Sequence, residues 1–275
     1  MIKIRVIPVA VLVLMGTADA QAHEFWISPQ SYMVDAAARI IADIRVGQNF
    51  VGNDLAYLPF ALTRFDLVSA RETRAMGGRL GDIPAIDTEA PAAAGLATIA
   101  VATTGTTVEY KDMEMFATFL QSKGLEEFID QHRARGLPEA GFIEFYRRFA
   151  KSLVAVGDGA GEDSPLGLEA EIVAGANPYA DDISGGLEVE VLYQDAPRAG
   201  AELHVFARDE AGEVTHTTVL TDADGRVSVP VAAGSEYLLD TVVMRPAPPS
   251  GEADAPVWQS LWASLTFMVP GTGPN

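Results

Sequence analysis

The chain has 275 residues, 19 lysines and arginines against 38 aspartates and glutamates, and a formal charge of −19. Such a surface repels nucleic acid and anionic membrane and concentrates cations. Cysteine is absent, which excludes disulfides and thiolate metal sites and leaves the 48% apolar content to supply stability.

Lys3 and Arg5 precede an apolar run over residues 6–15 and then small residues. That order reads as a secretory signal peptide over residues 1–22. A bilayer span takes about 20 apolar residues, so no membrane insertion of the mature chain is expected, and the expected location is the periplasm. Two cleavage sites fit. Cutting after Ala22 makes His23 the first residue, and cutting after Ala20 leaves Gln21-Ala22-His23 at the start. Loss of Lys3, Arg5 and Asp19 removes a net +1, so −19 becomes −20 in the mature chain.

Residues 39–46 alternate, with Ile40, Ala42, Ile44 and Val46 on one side, and predict a half-buried strand. Gly47 and Gly52 bracket a turn. Strands are also predicted over 61–68 and 96–102, with a Gly-, Pro- and Ala-rich surface loop over 76–94 between them. The period then lengthens. Met113, Phe116 and Leu120 recur at helical spacing up to Gly124, and Leu125, Phe128, Ile129 and His132 continue a second helix. Ile143, Tyr146, Phe149 and Leu153 suggest a third. These make a short helical insertion at about 112–153 in an N-terminal β-domain spanning 23–155. The Gly- and Asp-rich segment 156–165 reads as a flexible linker or an exposed loop. From 166 to 270 alternating runs separated by turns predict a β-sandwich, before a tail over 271–275. The fold class expected is therefore mainly β.

Chemistry-bearing motifs are scarce. The sequence has no Gly-x-Ser-x-Gly, no HExxH, no Walker A loop and no dinucleotide fingerprint, so an enzyme is not the first reading and no organic cofactor is expected. The Asp222-Ala223-Asp224-Gly225 turn lacks the spacing of an EF-hand and reads as a hairpin turn. Trp258, Trp262 and Phe267 read as packing residues. Of the four histidines, His132 reads as solvated at a polar helix end, His216 as a bland exposed strand residue, and His204, beside Glu202, as a surface residue or a ligand. His23 stands apart by position. As residue one it offers its amine and Nδ1 in one chelate ring. As residue three it offers an amine, two amides and an imidazole in a square plane, which suits Cu(II) or Ni(II). Zinc hydrolysis needs three protein ligands, and the sequence does not show them.

His23-Glu24-Phe25-Trp26-Ile27-Ser28-Pro29 after a signal peptide resembles the bacterial domain-of-unknown-function family 4198. So do residues 45–52, 144–153, 168–173 with Asn177-Pro178, and 258–267. The resemblance implies a periplasmic component of cobalt or nickel uptake, with inner-membrane metal transporter components as partners. Gly200-Ala201, Thr221 to Gly225, and Gly234 before Tyr237 and Leu239 look like a prealbumin-like or carboxypeptidase-regulatory-like sandwich, usually a structural or binding unit. The resemblance implies a Val-His-Met, as in many members of the family, in the strand where this chain has Val242-Val243-Met244. The expected function is binding of Ni(II), Co(II) or Cu(II) for uptake or homeostasis. His23 is the primary ligand, with Glu24 or His204 as helpers. A non-metal binding module and a histidine-brace copper enzyme are the alternatives.

Overall fold

A computed structural model describes residues 23–252 and 254–271. The expected signal peptide, both of its cleavage sites and residues 272–275 of the expected tail lie outside the described residues. The first strands are β1 (Glu24–Pro29), β2 (Met33–Val34), β3 (Arg39–Gln48), β4 (Val51–Leu55), β5 (Leu62–Ser69), β6 (Thr73–Ala75), β7 (Ile86–Glu89), β8 (Gly95–Thr103) and β9 (Thr106–Tyr110). Helices α1 (Met113–Ser122) and α2 (Glu127–Ala134) follow. Then come β10 (Phe142–Val156), β11 (Ala170–Ala174), β12 (Leu187–Tyr193), β13 (Ala196–Pro197), β14 (Glu202–Arg208), β15 (Val214–Leu220), β16 (Arg226–Val229), β17 (Glu236–Pro246) and β18 (Trp258–Met268). Strands take 49% of the chain and helices 8%, which makes the fold mainly β, as expected.

Local chemistry sets the first hairpin. β3 alternates as predicted, burying Ile40, Ala42 and Ile44. Asn49 and Phe50 both have positive φ, 52° and 61°, the conformation that a tight two-residue hairpin turn requires. Gly52 is needed opposite, because a Cβ there would stand 2.7 Å from the Trp26 ring.

Three sheets form. One four-stranded sheet runs β1-β3-β4, with β7 also on β3. A ten-stranded sheet runs β15-β14-β17-β18-β10-β8-β5-β6, with β2 and β9 on β10, and a third sheet holds β11-β12-β13, with β16 on β12. β10 joins the two halves. It lies parallel to β18 over Glu144 to Ser152 and antiparallel to β8 over Leu153 to Val156. One core fills the space between the large sheet and the third sheet, and a second lies against β1 and β3. A third, aromatic core sits under α1 and α2 and takes in Trp258 and Trp262, while Phe267 joins the first.

Two expectations are corrected. The third helix is β10: Ile143, Tyr146, Phe149 and Leu153 have helical spacing by coincidence. Residues 149–156 are buried on both faces, so no strand alternation marks them. The helical insertion is thus two helices, 113–122 and 127–134. The loop over 76–94 contains β7, whose Ile86 is buried against β3. Residues 157–165 form a loop that is exposed except at Gly159 and Asp163, and it is tied down. Asn177 Nδ2 donates to Gly159 O and Gly161 O at 2.8 and 2.7 Å, Leu96 N donates to Ala160 O, and Asp163 is buried. Val243 points into the core between the large and third sheets.

Candidate functional site

β1 is held on two sides. β3 pairs it along one edge. On the other, Ser264 Oγ donates to Phe25 O at 2.6 Å and Thr266 Oγ1 to Ile27 O at 2.8 Å, so hydroxyls of β18 satisfy carbonyls that no strand reaches. Alternation sends Phe25 and Ile27 into one core and Trp26 against Phe50, Phe206 and Leu238. Glu24 is carried inward with only 4% of its surface exposed.

Its partner arrives on a helix end. Asp112 caps α1 by accepting from Met115 N at 2.9 Å, and Phe116, Phe119 and Leu120 bury one face. Lys123 is the C-cap, and Gly124 turns the chain away at φ 62°. Lys123 Nζ then donates to Glu24 Oε1 and Asp240 Oδ2, both at 2.8 Å, 5.0 Å from the Trp262 ring centroid. Burial alone lowers the lysine pKa, but the Asp240 and Glu24 carboxylates outweigh it and hold the pKa above its ordinary value. Asp240 is pushed up to about 6, by burial first, against the pull of Lys123 and with Glu24 adding to the rise. Glu24 Oε2 and Asp240 Oδ1 accept no hydrogen bond from the described residues.

On β14, His204 is opposite Asp240 of β17. His216 on β15 is opposite Phe206 and lies over its ring, centroids 4.4 Å apart at 9°. His204 Nδ1 and His216 Nε2 share a hydrogen bond at 3.0 Å. Glu202 Oε1 is 3.2 Å from His204 Nε2, but off the N–H direction, so that buried nitrogen makes no hydrogen bond. Burial, then the Lys123 ammonium and His216, depress the His204 pKa to about 3. Burial and Lys123 lower that of His216 as well, while Glu24 opposes. Both rings are neutral at neutral pH, one supplying the N–H and the other the lone pair.

A second polar cluster lies on the same face of the large sheet. Tyr110 donates to Glu144 Oε2 at 2.7 Å, Ser260 donates to Glu144 Oε1, and Trp262 Nε1 donates to Ser260 Oγ at 3.0 Å. Burial raises the Glu144 pKa to about 7.

The structure thus brings Glu24 and His204 into one buried region, with His23 half-buried one residue before Glu24. His204, taken as a surface residue or a ligand, is only 4% exposed. His132 is not solvated but fully buried: Trp258 Nε1 donates to its Nδ1, and its Nε2 donates to Pro138 O, both at 2.9 Å. Lys123, Asp240 and His216 were not anticipated. Asp240 left one signal, a lone charge in the apolar run Tyr-Leu-Leu-Asp-Thr-Val-Val-Met. Among the described residues no group of three or more His, Cys, Asp or Glu side chains is placed to hold a metal ion. The Asp222 turn is tight, Asp222 Oδ1 accepting from Asp224 N and Arg226 N, but it is not the expected hairpin turn: it carries the chain from β15 in the large sheet to β16 in the third.

The sequence matches the family described as domain of unknown function (DUF4198) over residues 20–245. No match is found among curated proteins. Two solved structures are similar: the D0-D1 domain of intimin, 14% identical over 88% of this chain and 97% of that one, at a TM-score of 0.21; and a tetra-tandem repeat from the extending region of a large adhesion protein, 10% identical over 90% of this chain and 50% of that one, also at 0.21. Scores that low carry no argument for this chain.

Proposed function

We propose that this chain, which belongs to the domain-of-unknown-function family DUF4198, is an exported protein that binds Ni(II), Co(II) or Cu(II) through His23 for uptake or homeostasis of the metal. The observation that supports it is the anchoring of β1. The Lys123 clamp on Glu24 and the β18 hydroxyls fix the strand that His23 leads into, beside two neutral imidazoles. Cleavage after Ala22 frees an amine that forms one chelate ring with the His23 imidazole, a nitrogen donor set that suits these ions. The amine lies outside the side-chain groups that fall short of a metal site. Glu24 has one unengaged oxygen to lend and His204 one unengaged nitrogen. The charge of −19 raises local cation concentration. Periplasmic location and delivery to an inner-membrane metal transporter component belong to the same reading.

Affinity falls with acid, because amine and imidazole must both lose their protons. The test is intact-mass analysis of the secreted chain, then calorimetric titration with Cu(II), Ni(II) and Co(II). A mature chain starting at His23 or Gln21, with micromolar or tighter binding lost in His23→Ala, supports the reading. Binding that is absent, or equal in His23→Ala, overturns it. A second reading, a module that binds a protein partner through its sheets, is favoured by β15 at the edge of the ten-stranded sheet, which pairs on one side alone among the described residues.

A further inference from the structure

The ten-stranded sheet has two ends of opposite character. At one, β6 has three residues, carries Arg74, and follows Arg71 and Glu72. Short charged strands of this kind resist pairing with another chain. At the other end, β15 is Val-Thr-His-Thr-Thr-Val-Leu, without a charge, a proline or a glycine. Its register with β14 is unbroken from Val214 to Leu220, so no bulge twists it away. Among the described residues it pairs with β14 alone. Residues 215–218 are exposed, and Leu220 keeps 64% of its surface. Among the described residues β15 has no charge, proline, glycine, bulge or pairing strand to protect its outer edge, and that row of backbone donors and acceptors is a template for one more strand.

The flanks say what kind of strand fits. Asp209, Glu210 and Glu213 precede β15, Asp222 and Asp224 follow it, and all are exposed. Both ends are rigid, because Asp209 Oδ1 accepts from Ala211 N and Glu213 N, and Asp222 Oδ1 from Asp224 N and Arg226 N, all at 2.9 Å. A second copy paired antiparallel would set Glu213 of one against Asp222 of the other, between molecules that each carry −19. Like charges opposed across strands are unfavourable. An incoming strand with basic residues at both ends reverses that sign, while its β-branched middle meets Thr215, Thr217 and Val219.

We propose that β15 is a docking edge for an extended segment of a partner protein: an uncharged, β-branched strand of about seven residues bordered at each end by lysine or arginine. The segment adds to the sheet through backbone hydrogen bonds, and the acidic flanks select it and set its register. The inference is independent of metal binding, since His23 takes no part.

The probe is a fluorescein-labelled synthetic peptide of alternating threonine and valine with a lysine pair at each end, titrated into the full mature protein by anisotropy. Binding is expected, weakening as salt rises. Thr217→Lys puts a charge in the middle of the exposed edge and should weaken binding by about tenfold or more, with an unchanged circular dichroism spectrum and melting temperature. The same peptide with glutamate pairs, or with its backbone N-methylated along one edge, should not bind. Three results overturn the proposal: no binding of the lysine peptide, equal binding to Thr217→Lys, or equal binding of the glutamate peptide. A wild-type dimer in sedimentation that Thr217→Lys dissolves would also overturn it, by giving the edge to a second copy.

Discussion

Lys123 and Lys151 are each buried between two carboxylates at almost the same distances, yet the two triads are built differently. Lys151 Nζ lies 2.8 Å from Asp163 Oδ2 and 3.0 Å from Glu171 Oε1, and it also reaches Ser164 O. Every carboxylate oxygen there has another use. Leu166 N and Leu168 N donate to Glu171, Ala174 N donates to Asp163 Oδ2, and Thr98 Oγ1 reaches Asp163 Oδ1. Around Lys123 only the ammonium donates, and one oxygen of each carboxylate is left over. A buried ion triad is weak evidence for stability in itself, and what distinguishes the two is satisfaction of the remaining acceptors. The saturated triad staples β10 to the chain entering β11. The open one keeps two acceptors and a histidine nitrogen available where β1, α1 and the large sheet meet.

Removing each lysine tests that contrast most severely. Lys151→Met leaves two buried carboxylates with no cation between them, and should cost about 3–5 kcal/mol in denaturant melts. Lys123→Met should cost less, about 2 kcal/mol, because a carboxyl with a raised pKa can take up a proton once the ammonium is gone. An equal or larger loss in Lys123→Met would remove the distinction between staple and open site.

Glu144 extends the comparison along β10, the strand that also carries Lys151. It lies on the face shared with Trp262 and Lys123, and its carboxyl is hydrogen-bonded but pairs with no cation within salt-bridge distance among the described residues. Its pKa of about 7 in the fold stands above an ordinary 4.5. The folded state therefore favours the protonated form. That contribution is full below pH 4.5 and is lost as pH rises through 7. Glu144→Gln should flatten this slope, gaining on the order of 2–3 kcal/mol relative to wild type between pH 5 and 8. Parallel stability–pH curves for the two proteins would show that burial there leaves the carboxyl unaffected.

β3 and β12 were legible because they bury one face and alternate, and β8, expected over 96–102, runs from Gly95 to Thr103. β14 and β18 are buried on both faces but keep an alternating apolar set, Leu203 and Val205 in one and Leu261, Ala263, Leu265 and Phe267 in the other. β10 was not, because burial on both faces erases the alternation and leaves an accidental helical spacing. The reading of His23-Glu24 pointed to the start of β1, where Glu24 is buried. Its partner was invisible, since Lys123 lies 99 positions away and meets Asp240 across a further 117. His132 misled for the same reason. Gln131 and Arg133 beside it are polar, but α2 is laid on Trp258, and the indole N–H reaches the imidazole from 126 positions along the chain.

The smallest effect tests how each lysine is delivered. Lys151 comes from the middle of a long strand with neighbours on both sides, whereas Lys123 hangs from the end of a ten-residue helix. A helix so short is marginal alone and depends on the packing of Phe116, Phe119 and Leu120 and on its Asp112 cap. Asp112→Ala should cost about 1 kcal/mol. The loss should be local: faster hydrogen exchange in α1, and weaker protection of the β1 amides that Lys123 holds through Glu24. Amides of β10 beside Lys151 should exchange as in the wild type, because nothing in their ladder runs through α1. If they speed up by the same factor, the two triads open together as one cooperative unit. The difference in their hydrogen bonding would then have no counterpart in how the molecule moves.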